Sequence, residues 1–128
     1  MFNYILYRIG QFIALSLPIK TAYKIAVFVS DVHYIFAFKD RRNVESNLKA
    51  IFPEKKIKEI RRIKIRMFRN FAKYLVDFFR FENINKEYIN KNIKIENIEY
   101  LDKALAEKKG AIITTAHLGI WELGGVIV

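Results

Sequence analysis

The chain has 128 residues, with 23 lysines and arginines against 13 aspartates and glutamates, and no cysteine. That length suits one ordinary domain, and 52% hydrophobic with 15% aromatic residues excludes a disordered tail. The absence of cysteine excludes a disulfide scaffold, a thiolate nucleophile and a cysteine-ligated zinc, while a net charge of +10 points to phosphate-bearing partners, either nucleic acid or an anionic membrane surface.

The charge is uneven along the chain. Residues 1–53 carry 7 basic and 3 acidic side chains, residues 54–82 carry 10 and 4, and residues 83–128 carry 6 and 6. The whole excess therefore lies in the first 82 residues. Such asymmetry suggests a docking part and a separate working part. On this basis the chain divides into apolar helices at 1–38, a basic helical region at 39–91 and a core region at 92–128.

In chain order, residues 2–17 read as an apolar helix stopped by Pro18, and 20–38 as a second. Neither contains the ~18 uncharged apolar residues of a membrane span. Two readings stand for them, helices lying in a membrane interface or buried core helices. A cleaved signal peptide fits poorly, because no basic segment precedes Arg8. A short helix is expected at 41–51, ended by Pro53. Residues 54–82 are the most periodic. Ile57, Ile60, Ile63, Met67, Phe71, Tyr74 and Phe78 recur every three or four positions and define one helix face. Lys58, Arg62, Arg66, Arg69, Lys73 and Arg80 centre near the opposite face, so the helix is amphipathic and strongly basic. That basic face suits lipid headgroups, or simply water.

Beyond residue 83 the pattern changes. Residues 93–96 alternate and read as a strand. Residues 98–109 read as a helix with Gly110 as its C-terminal cap. Residues 111–116 form a β-branched apolar run, expected as a buried strand, and 120–128 read as a helix after a turn at Gly119. The expected class is α/β: a helical N-terminal region, then the first strand–helix–strand–helix of a sheet. Two strands with unpaired edges do not complete such a domain, so the chain reads as the N-terminal part of a longer protein, inactive alone.

Chemistry concentrates in Thr114-Thr115-Ala116-His117-Leu118-Gly119-Ile120-Trp121-Glu122. His117 and Glu122 are five apart. In one continuous helix they would diverge by about 140°. They meet only if His117 lies on the loop and Glu122 in the first turn of the helix. A neutral imidazole can take a proton from an alcohol, a neighbouring carboxylate fixes its tautomer, and backbone N–H groups can stabilise an oxyanion. Together they suit acyl transfer to a hydroxyl with no serine or cysteine nucleophile. The plainer alternative is a strand-end histidine bonded to backbone. His33, followed by Phe38 at the same spacing, reads as structural.

The stretch GAIITTAHLGIWELGG at 110–125 closely resembles the first motif block of the bacterial lipid A biosynthesis acyltransferases, the lauroyl and myristoyl transferases related to the lysophospholipid acyltransferases. The resemblance extends to Arg41-Arg42-Asn43-Val44, to Leu48 and to Phe52-Pro53-Glu54. Leu17-Pro18 and the segment 93–105 are also similar, so nearly the whole chain is covered in order. It implies His117 as general base and Glu122 as its partner. It also implies an acyl thioester donor on acyl carrier protein or coenzyme A, a hydroxyl acceptor on a lipid A precursor or related lipid, and no metal or redox cofactor. The implied location is the cytoplasmic face of the bacterial inner membrane, peripheral or N-terminally anchored, with membrane lipid and no nucleic acid as partner. Ile120 departs from the family, which usually has asparagine there, and the family's later blocks would lie beyond Val128.

Gly119 and Trp121 are candidate substrate contacts, although Trp121 equally suits a packing anchor. Arg41 and Arg42 are candidates for a glycolipid phosphate, or for a cap or ion pair. The competing function class is a non-catalytic basic helical module that binds membrane or nucleic acid.

Overall fold

The computed structural model describes residues 1–116 and 118–127, with the backbone alone at 2, 3, 126 and 127. The chain forms two compact units, Met1–Arg80 and Phe81–Val128.

The first unit is four helices. Helix α1 spans Phe2–Ser16 and α2 spans Ile19–Phe36. Between them Leu17 is extended, as the ring of a following proline requires, and Pro18 opens α2 without needing an N–H of its own. A single buried residue, Ala37, separates α2 from α3, Phe38–Ile51. Pro53 follows the end of α3. Helix α4 spans Ile57–Phe79, and the Glu59 carboxylate accepts the Lys56 N–H at 3.1 Å, covering one of the free donors at the helix start.

Helix α4 packs against α1, α2 and α3. Ala14, Ala22, Val76 and Phe79 make the buried centre, with Tyr23, Ala26 and Leu75 around it. Alanines at 14 and 22 let α1 and α2 approach α4 closely. Phe79 receives the edge of the Tyr7 ring at 4.7 Å between centroids.

The buried face of α4 is not the one the periodicity favours. Ile57 is 75% exposed and Phe71 62%, whereas Ile60, Lys64, Val76 and Phe79 are buried. At ~100° per residue the packed stripe is rotated by roughly 80° from the apolar one. The reason is polar. Three side chains on α4, and Arg80 at its C-cap, reach its partners and fix its rotation. The Lys64 ammonium donates to Glu45 of α3 at 2.6 Å. Arg69 donates twice to Asp31 of α2, at 2.7 and 2.8 Å. The hydroxyl of Tyr23 on α2 donates to Asp77. Arg80, just past α4, donates to the carbonyls of Ala14 and Leu17, which α1 leaves unbonded at its C-terminus. The apolar residues turned outward stack on one another: Phe71 on Tyr74, and Tyr74 against Phe78.

The second unit holds a 3-10 turn at Phe81–Asn83, then α5 (Lys86–Asn92), α6 (Glu99–Ala106) and α7 (Trp121–Ile127). Among the described residues there is no strand, which corrects the expected α/β class. Residues 93–96 and 111–116 do not join a ladder, and 111–116 are exposed throughout. β-branched composition favours a strand only where a partner chain takes up its N–H and C=O groups and packs against one face. Neither segment has that partner, so Lys94 and Glu96 pair with each other in water instead.

Replacing Arg80 with methionine leaves the α1 carbonyls without their donor. The expected loss is about 1–3 kcal/mol, read as a lower urea midpoint with an unchanged slope. Glu45, bonded by Lys64 and Lys49, has its pKa lowered from 4.5 to about 2. Its stabilisation is therefore present above pH 4.5 and is lost as the pH falls towards 2. Asp31 is lowered by its bonds to Arg69 and acts in the same sense. Asp77 acts in the opposite sense, because burial raises its pKa against the pull of Tyr23 and Arg80. The melting temperature should drop across that acid window, and Glu45→Gln should flatten the drop.

Candidate functional site

Two groups of candidate residues occupy the two units, and each is described by itself. In the second unit, α6 ends at Ala106 and the chain reverses through Lys108, φ 55°, and Gly110, φ 78°. Both lie in the left-handed region, which glycine enters without cost and lysine does not. Residues 111–116 then run exposed.

His117, the expected base, lies outside the described residues. Gly119 follows with φ 63°. No atom lies within 4 Å of where a Cβ would stand, so glycine is favoured there by backbone conformation and not by crowding. Helix α7 begins two residues later, and Glu122 lies in its first turn, where a carboxylate meets the unbonded N–H groups favourably. The Glu122 side chain is half-buried, with its Oε2 shielded from solvent. Trp121 is 41% exposed beside it. Ile120, at the position where the resembled family carries an amide, supplies its carbonyl to the Leu123 N–H at 3.1 Å. An apolar side chain there leaves this backbone bond intact.

In the first unit, Arg41 and Arg42 lie on α3. With Phe38, Glu45 and Lys64 they line a cleft of about 390 Å³. The Arg41 guanidinium sits over two rings, 5.1 Å from Tyr34 and 4.7 Å from Phe38. Arg42 is exposed. Glu45 is held between Lys64, at 2.6 Å, and Lys49, at 2.9 Å. Reading the sequence alone singles out the two arginines but misses Lys64 and Glu45. The available signal was Lys64 between Ile60 and Phe68, four residues from each, where an apolar residue would ordinarily stand.

The remaining basic residues of α4 do not act as one face. Arg69 and Arg80 are engaged with α2 and α1, while Lys58, Arg61, Arg62, Arg66 and Lys73 are exposed. Among the described residues no helix is long and apolar enough to cross a membrane.

Comparison with protein-family models matches residues 1–128 to bacterial lipid A biosynthesis acyltransferase. No curated protein and no solved structure matches the chain.

Substituting Gly119 separates conformation from packing. Gly119→Val should cost about 1–2 kcal/mol of backbone energy in the turn, and Gly119→Asn distinctly less. Hydrogen exchange at the Leu123 amide should quicken in the first variant and stay near the parent rate in the second.

Proposed function

Because the chain belongs to the bacterial lipid A biosynthesis acyltransferase family, we propose that it moves a fatty acyl group from an acyl thioester to a hydroxyl of a lipid A precursor or a related glycolipid or lysolipid. The observation that carries this reading is the family match over residues 1–128, which includes the His117–Glu122 block.

In this mechanism His117 takes the proton of the acceptor hydroxyl as its oxygen attacks the thioester carbonyl. Glu122 orients the imidazole and stabilises the imidazolium that forms. The developing oxyanion is held by backbone N–H groups of the turn, where Gly119 allows close approach and Trp121 covers the acyl group. Attack forms the new C–O bond; collapse of the tetrahedral oxyanion then re-forms the carbonyl as the C–S bond breaks, and the imidazolium gives its proton to the departing thiolate. Electrons and protons balance without a metal or redox cofactor. The donor is acyl carrier protein or coenzyme A.

A peripheral position on the cytoplasmic face of the inner membrane accompanies this reading. It is supported by Phe12, Phe28 and Phe36, which are 70%, 68% and 71% exposed on α1 and α2, close in sequence to the basic residues of α2 and α3. Apolar side chains bordered by lysine and arginine suit an anionic bilayer surface.

The test is thioester-dependent acylation of a lipid A precursor. His117→Ala should lower kcat by roughly 10²–10⁴-fold, and Glu122→Gln should lower it with little change in KM. A wild-type rate in His117→Ala would remove the base assignment.

A further inference from the structure

The cleft between α3 and α4 gathers more cationic charge than the Lys64–Glu45 contact that ties the two helices uses. Three cations and one carboxylate line it: Arg41, Arg42, Lys64 and Glu45. The resulting balance of +2 matches a phosphate monoester, which carries about −1.5 to −2 at neutral pH. The Lys64 side chain is only 9% exposed, yet its ammonium has three donors and spends one on Glu45. Burying an ammonium with donors to spare is costly unless something accepts from them. The Arg41 guanidinium is held over the rings of Tyr34 and Phe38. A ring contact of this kind uses none of the guanidinium's five N–H donors, and that planar fork suits bidentate phosphate binding. Arg42 has no ion-pair partner among the described residues.

Helix α4 connects this cleft to an apolar groove. Phe68 is one turn beyond Lys64, ~6 Å along the axis. It lines a groove of about 260 Å³ with Val29, Ala72 and Leu75. Tyr34 stands between the two, its ring edge-on to Phe68 at 5.1 Å and beneath Arg41. A cationic pocket followed along one helix by an apolar one is complementary to an amphiphile with an anionic head.

We propose that Arg41, Arg42 and Lys64 bind the phosphate of an anionic membrane phospholipid, whose chain lies along the α2–α4 groove. The residues of this site belong to the first unit and the acyl-transfer residues to the second. It would hold the protein on the bilayer in a set orientation, and it is tested without turnover.

The probe is dihexanoyl phosphatidic acid, titrated below its micelle concentration into the purified protein and followed by calorimetry. Dihexanoyl phosphatidylcholine and inorganic phosphate are the comparisons. Phosphatidic acid should bind at least tenfold more tightly than either. Arg42→Gln, at an exposed position, should weaken it by roughly tenfold or more with an unchanged melting temperature. Arg42→Lys should restore part of the loss. Phe68→Ser should weaken phosphatidic acid and leave inorganic phosphate unaffected. Equal affinity for phosphatidylcholine would overturn the assignment of the head site, as would unchanged affinity in Arg42→Gln. Equal affinity for inorganic phosphate would overturn the assignment of a lipid. His117→Ala should bind as the parent does, so a failed acyltransferase reading and a failed phosphate site give different results.

Discussion

The rotation of α4 about its own axis is the constraint on which the first unit depends. Three other helices pack against it, and each is tied to it by a polar contact with its own partner: Glu45 of α3, Asp31 of α2, and the free carbonyls of α1. A polar contact is directional, whereas apolar burial is not. A turn of α4 that buried Ile57, Met67 and Phe71 would strip Lys64 from Glu45 and Arg80 from α1. Each such group left buried and unbonded costs about 1–3 kcal/mol, the same order as burial of one apolar side chain returns.

This arrangement leaves a small core and a large apolar surface. Ile60 is the one large side chain almost fully buried among those described, and alanines fill much of the helix–helix contact. Bulky apolar groups on α1 and α2 remain outside. In a water-soluble monomer such a surface is a liability. On the proposed reading it would face a bilayer, with lysines and arginines close to it in sequence, and the cleft and groove on α4 lie in the same unit.

Much of the helical organisation was readable from residue spacing. Pro18 and Pro53 mark the breaks, and the 3.6-residue period extends through α4. The pairing state of 93–96 and 111–116 was not readable. Alternation and β-branching are properties of a segment, but a strand is a relation between two segments, and among the described residues neither segment pairs with another. The candidate site divides in the same way. Arg41, Arg42, Gly119, Trp121 and Glu122 were visible as residue types in a recognisable order. Lys64 was not singled out, because its charge alone does not distinguish a buried ammonium from a solvated one.

The sequence by itself determined the helix breaks, the left-handed turn at Gly119, the charge asymmetry and the order of motifs that identifies the family. Each of these depends on a residue's own backbone preferences, its charge or its neighbours along the chain. Only the tertiary structure decided which face of α4 is buried, that Arg80 serves α1 instead of solvent, and that Lys64 joins Arg41 and Arg42 at one cleft. Those outcomes depend on groups 19 to 66 residues apart in the chain meeting in space, and a periodicity of three or four residues carries no information about such distances.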